Sequence, residues 1–142
     1  MAHEVRFQTT VKAPRERVFA FLADHQKFAR LFGGTCTRVK DGQGDVNGLG
    51  SVRRLGPGPL SFDETIVTFE PNTRIEYTVT RGSPIKNHLG TVDLSDAGKG
   101  STAIDYVIRF EPKIPCTGGA IATLLRVALK ANANKALATL ER

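Results

Sequence analysis

Apolar and polar side chains alternate along most of this chain in short runs, and the runs break at Gly, Pro and Asn. Residues 3–12 set the pattern. Val5, Phe7, Thr9 and Val11 fall on one face, and Glu4, Arg6, Gln8, Thr10 and Lys12 on the other, which predicts a half-buried strand. The period then changes. Pro14 suits the first turn of a helix, and Val18, Phe21 and Leu22 follow at the spacing of a buried helical stripe. Asp24 is placed to cap a second short helix that carries Phe28, Leu31 and Phe32 on one side, and Gly33-Gly34 ends it.

From about residue 35 to 111 only the two-residue period is present. It predicts strands over 35–40, 50–55, 60–70, 74–81, 87–95 and 102–111. The joints between them are Gly42–Gly44, Gly56-Pro57-Gly58-Pro59, Pro71-Asn72, Gly82–Pro84 and Ala97–Gly100. Such short connections predict an antiparallel meander, with six or seven strands in all. The helical period returns at the end of the chain. Thr117 is a candidate cap, and a helix is predicted over 118–140, with Ile121, Leu124, Leu125, Ala128 and Leu129 as its apolar stripe. At 1.5 Å per residue such a helix spans roughly 35 Å, enough to cross a sheet.

One stretch departs from plain alternation. In ETIVTFEPNTRIEYTVTRG, Glu64 shares its strand face with Ile66, while Ile75, Tyr77 and Val79 share a face on the next strand. A carboxylate on an apolar face costs several kcal/mol unless it is paired or wetted. An interior that keeps one points to a pocket behind the sheet.

Composition narrows the remaining classes. The 142 residues are 40% hydrophobic and 24% charged, which fits one soluble domain. No apolar run is long enough for a membrane span, and Glu4 and Arg6 interrupt the early apolar residues where a secretory signal would need them unbroken, so a cytoplasmic location is expected. Cys36 and Cys116 are expected as free thiols. The net charge of +6 raises nucleic acid as a partner, but the basic residues are scattered and no aromatic platform is interleaved with them, so none is expected. His3, His25 and His88 show no ligand spacing, no phosphate-cradling glycine motif follows a strand, and no serine or cysteine has an ordered triad; neither metal nor cofactor is expected.

The order of elements then carries a resemblance. The stretches APRERVFAFLADHQKFARLF, GLGSVRRL, ETIVTFEPNTRIEYTVTRG and HLGTVDLSDAGKGSTAIDYVIRFEP resemble, in that order, the helix pair, third strand, central hairpin and last hairpin of one superfamily. This is the START-related, Bet v 1-like (SRPBCC) superfamily of lipid-transfer, polyketide-cyclase and plant-allergen-like proteins. The resemblance implies an α+β helix-grip fold over residues 1–142 as one domain. A curved antiparallel sheet of six to seven strands would wrap around the long C-terminal helix, with two short helices after strand one. It also implies an apolar cavity between sheet and helix, and it places Arg53 beside Glu64.

The residues expected to line or serve that cavity are Phe21, Phe28, Arg53, Phe62, Glu64, Ile66, Tyr77, His88, Tyr106, Ile108, Leu124 and Ala128. Two functions stay open. One is binding or transfer of a small hydrophobic ligand by a monomer or weak homodimer. The other is a cyclase, aromatase or dehydrase, with Arg53 stabilising an enolate and Glu64, His88 or a tyrosine moving protons.

Overall fold

The structure is a computed structural model that describes residues 2–56 and 58–141; Pro57, in the second predicted turn, lies outside them. Strand β1 (His3–Val11) leads into α1 (Arg15–Ala23) and α2 (His25–Ala29), which runs on as a 3-10 turn over Arg30–Phe32. Six strands follow: β2 (Cys36–Lys40), β3 (Val52–Leu55), β4 (Phe62–Glu70), β5 (Arg74–Arg81), β6 (Ile85–Asp96) and β7 (Thr102–Pro112). The long helix α3 spans Gly118–Ala138 and ends in a 3-10 turn over Thr139–Glu141. All seven strands form one sheet in the order β1-β7-β6-β5-β4-β3-β2, antiparallel throughout. This is the helix-grip arrangement expected from the sequence.

Local chemistry explains most boundaries. Pro14 sits at the N-cap of α1 in extended backbone, just before the first helical residue. The Asp24 side chain accepts from the Lys27 N–H at 3.1 Å and starts α2. Gly33 closes the following turn at φ +79°, a conformation that side chains disfavour, and a side chain there would also collide with Asn132 of α3. Thr117 does not cap α3. Its hydroxyl donates instead to the Ile114 carbonyl at 2.6 Å, so the loop before the helix uses the group that the cap would need.

The sheet bends through irregular pairing. Register shifts occur in the β4–β5 ladder between Asp63 and Glu64 and between Ile66 and Thr68, and in the β6–β7 ladder between Lys86 and Leu89, where Asn87 takes φ +50°. Bulges of this kind increase twist and curve a sheet. The concave face carries the core: Val5, Val11, Ile66, Ile75, Val92, Ile104, Ile108 and Phe110, against Val18, Phe21 and Leu22 of α1.

The long helix is held at one side of that face. It packs on β1 and on the Arg30–Phe32 turn. Arg126 donates to the Glu4 carbonyl at 3.0 Å, and the Lys12 N–H donates to Glu141 at 2.8 Å. Its buried stripe is Gly118, Ala122, Leu129, Ala133 and Leu137. This corrects the expected stripe. Ile121, Leu125 and Ala128 are only partly buried, and Leu124 is 70% exposed. Gly118, Ala122 and Ala133 allow close approach, Leu129 and Leu137 fill the core beside them, and Ile121, Leu124 and Leu125 are turned toward an opening.

The outer face holds a charge cluster that tests the register. Asp63 is buried, and it accepts from Arg54 Nε at 2.8 Å and from Arg81 Nε at 3.0 Å. The hydrogen bonds from Arg54 hold its carboxyl down at about 2, despite its burial, and Arg81 adds to the effect. Its folded value lies below its unfolded one, so its contribution is present above about pH 4 and is lost as pH falls toward 2. The stability gap between parent and Asp63→Asn, read from urea denaturation, should therefore narrow across that window. A gap that stays constant would contradict this pairing.

Candidate functional site

A cavity of about 440 Å³ lies between the concave sheet and α3. Its inner wall is made by Phe28, Phe62, Glu64, Tyr77, Ile85, His88 and Ile108. Its mouth is bounded by Gly34 and Thr35 after the 3-10 turn, Gly56 after β3, Ser83 and Pro84 between β5 and β6, and Leu124 of α3. Ile121, Leu125 and Ala128 form the helix side. The wall is apolar except at one end, where Glu64, Tyr77 and His88 meet.

Glu64 is there because β3 and β4 are in direct register: Arg53 and Glu64 are cross-strand partners. Arg53 Nε donates to Glu64 Oε1 at 2.8 Å. The two residues are 1% and 7% exposed. The guanidinium carbon of Arg53 also lies 4.1 Å from the Phe28 ring centre and 4.5 Å from that of Tyr77. These ring faces compensate part of the charge. Arg53 Nη2 has no hydrogen-bond partner among the described residues. Burial pushes the Glu64 carboxyl above its ordinary range, and Arg53 pulls it back only in part.

Two further side chains extend this group away from the cavity. His25 is the first residue of α2, and the Asp24 cap points its ring at β3. Its Nδ1 lies 3.3 Å from Arg53 Nη1, and its Nε2 lies 3.1 Å from Ser51 Oγ. A guanidinium can only donate, so Nδ1 accepts, and the ring proton sits on Nε2 facing Ser51. Burial, then the neighbouring Arg53 charge, lowers His25 to about 4, so the ring is neutral at pH 7. Sequence reasoning missed both residues. The Asp24 cap was the available signal for His25, and Gly50 before β3 was the one for Ser51.

His88 sits at the β6 bulge. Its Nδ1 accepts from the Val79 N–H at 3.1 Å, so its proton is on Nε2. Burial and Arg53 lower this ring too, to about 4. The hydroxyls of Tyr77 and Tyr106 are hydrogen-bonded to each other. Tyr106 lies on β7, so Tyr77 must reach from β5 across β6. Gly90 permits this: it is the register partner of Tyr77, and a side chain there would occupy the space of the ring.

The expected site residues thus divide. Phe28, Phe62, Glu64, Tyr77, His88, Ile108, Leu124 and Ala128 line the cavity. Phe21, Ile66, Tyr106 and Arg53 do not. Phe21 and Ile66 are spent in the core. Tyr106 packs edge-on to Phe28, which lies between it and the open space. Arg53 is screened by Glu64, Phe28 and Tyr77. Among the described residues no group of three or more His, Cys, Asp or Glu is placed to hold a metal, and no described helix is long and apolar enough to cross a membrane.

The comparisons with known proteins agree with this architecture. A START superfamily protein from Mycobacterium smegmatis is similar over 98% of this chain and 97% of its own, at 18% identity and a TM-score of 0.76. A protein from Thermobifida fusca solved by NMR is similar over 98% of this chain and 95% of its own, at 19% identity and a TM-score of 0.77. Norcoclaurine synthase from Thalictrum flavum, solved in complex with dopamine and hydroxybenzaldehyde, matches 99% of this chain and 86% of its own, at 14% identity and a TM-score of 0.72. At such identities these structures speak for the fold alone. No curated protein matches the chain. The family described as polyketide cyclase / dehydrase and lipid transport matches residues 2–142, and the chain belongs to that family.

Proposed function

We propose that the chain acts as one domain that binds or carries a small, largely apolar molecule between sheet and α3. The observation that carries this reading is the cavity itself. At about 440 Å³ it lies within the range of small-molecule sites, and its few polar groups gather at one end while apolar side chains make the rest. A close-packed core of this size leaves no such space. Burial of apolar ligand surface would supply the driving force at roughly 25 cal/mol per Å², and Glu64, His88 and Tyr77 would orient the polar end.

A second reading, a cyclase or dehydrase, is favoured by one feature: a carboxyl with a raised proton affinity and a neutral imidazole share the cavity wall. Within that reading Arg53 could not touch an enolate, because it is shielded from the cavity. Proton transfer would fall to Glu64 or His88. Family and fold are compatible with both readings, since one fold serves many activities.

Replacing Ala128 with tryptophan tests the cavity. An indole there should fill the space beside Leu124 and Leu125, abolish binding of a neutral apolar fluorophore and leave the far-UV circular dichroism unchanged. A parent protein that binds no apolar probe, or a variant that binds it as well as the parent, would sink the ligand-binding reading.

A further inference from the structure

The distribution of charge and hydrogen-bonding capacity around the cavity selects among apolar ligands. Resting on the cavity as the ligand site, we infer that it takes neutral molecules carrying a hydroxyl, phenols or alcohols, and rejects carboxylates and phosphates of the same shape.

Three observations support this. First, Glu64 is the only Asp, Glu, Lys or Arg among the described residues lining the cavity. The nearest cation, Arg53, is 1% exposed, lies against the Phe28 and Tyr77 rings, and is committed to Glu64 through Nε, while its unpartnered Nη2 is itself buried. An anionic headgroup would therefore enter an apolar space, lose its water, meet a carboxylate and find no cation within reach. The loss of hydration alone disfavours a buried ion strongly. A cationic ligand does little better, because the charge of Glu64 is already balanced by Arg53.

Second, the two free polar groups at the polar end of the inner wall are of opposite kind. Glu64 Oε1 is taken by Arg53, and Oε2 has no protein partner among the described residues, which leaves an acceptor. His88 Nδ1 is taken by the Val79 N–H, and Nε2–H has no partner among the described residues, which leaves a donor. Third, the two groups flank one residue. Glu64 is the register partner of Val79, and Val79 holds His88. A hydroxyl donates one hydrogen bond and accepts others, so it satisfies both groups at once. A carboxylate can only accept, and it leaves Glu64 Oε2 desolvated and opposed. A bare hydrocarbon leaves both unpaired, at the cost of their lost hydration.

The test is competition against N-phenylnaphthylamine, a neutral apolar fluorophore, on the unaltered protein at neutral pH. The competitors are a naphthol, the naphthoate substituted at the same ring position, and naphthalene. The naphthol should displace the probe at about tenfold lower concentration than either of the others, because only it pairs both wall groups. A naphthoate that competes as well as the naphthol, or better, overturns the inference and leaves the cavity as a ligand site. A naphthalene that equals the naphthol overturns it too, since the wall groups would then contribute nothing. A probe that does not bind at all removes the ligand site, and the inference falls with it. As a second measurement, the double variant Arg53→Met/Glu64→Leu should lose the preference for naphthol over naphthalene. A preference that persists in the folded double variant would show that Glu64 is not its source.

Discussion

Replacing Glu64 with glutamine should destabilise the protein by about 3–5 kcal/mol, the usual cost of breaking a buried ion pair by removing one partner. The shape of the side chain is preserved, and an amide oxygen can still accept from Arg53 Nε. What is lost is the negative charge. Arg53 cannot release its proton in compensation, and at 1% exposure it cannot reach water. Among the described residues no other carboxylate pairs with Arg53, and its remaining polar neighbour, His25, accepts from it only as a neutral ring. The double variant Arg53→Met/Glu64→Leu removes both charges and should recover most of the loss, since a buried pair exchanged for apolar side chains of similar volume is often neutral or stabilising. Urea denaturation of the parent, the single and the double variant measures both. A loss under about 1 kcal/mol in Glu64→Gln would mean that the ring faces of Phe28 and Tyr77, not Glu64, neutralise Arg53.

Gly90→Ala is the second large effect expected. The added methyl would sit where the Tyr77 ring lies, against a neighbouring strand that cannot move without breaking its ladder. Overpacking of this kind costs about 1–3 kcal/mol. Displacing the ring also breaks the hydrogen bond between the Tyr77 and Tyr106 hydroxyls, which adds about 1 kcal/mol. The combined loss should come to about 2–4 kcal/mol. It should be accompanied by changed near-ultraviolet circular dichroism, because the Tyr77 ring, which packs against Phe28 and Tyr106, would be displaced. Gly90→Ala in a Tyr77→Leu background should cost much less, and this non-additivity is the sharper test. Equal costs in both backgrounds would place the clash elsewhere.

These effects depend on inner-face neighbours, and such neighbours are legible in a sequence to different degrees. The alternation of β1 and the period of α1 are local properties of the chain, and both appear where the pattern puts them. The hairpin around Pro71-Asn72 is equally local: β4 and β5 end and begin beside it, and Asn72 takes φ +63° as a turn residue can. The juxtaposition of Arg53 and Glu64 needed the order of strands as well as their faces, and that order came through the resemblance to a known family.

The rotation of α3 was not legible in this way. Its apolar residues are spread widely enough around the helix that two neighbouring stripes are both plausible. The one that faces the sheet is decided by the close approach of Gly118, Ala122 and Ala133 to β1 and the Arg30–Phe32 turn. That rotation sends Leu124 to the mouth. The role of Arg53 was misread for a related reason. A strand pattern states which face a side chain takes, but not what lies over it there. Phe28 from α2 and Tyr77 from β5 close over the guanidinium, and both come from elsewhere in the chain. His25 and Ser51 joined the site through contacts 28 and 26 residues apart, to Arg53 and to each other. By itself, then, the sequence determined the elements, their antiparallel succession and the buried carboxylate, because period, turn chemistry and the cost of burying charge act over a few residues. Tertiary structure alone decided which of the inward residues border empty space and which are screened, because that depends on the curvature of the sheet and the rotation of one helix, set by packing between distant segments.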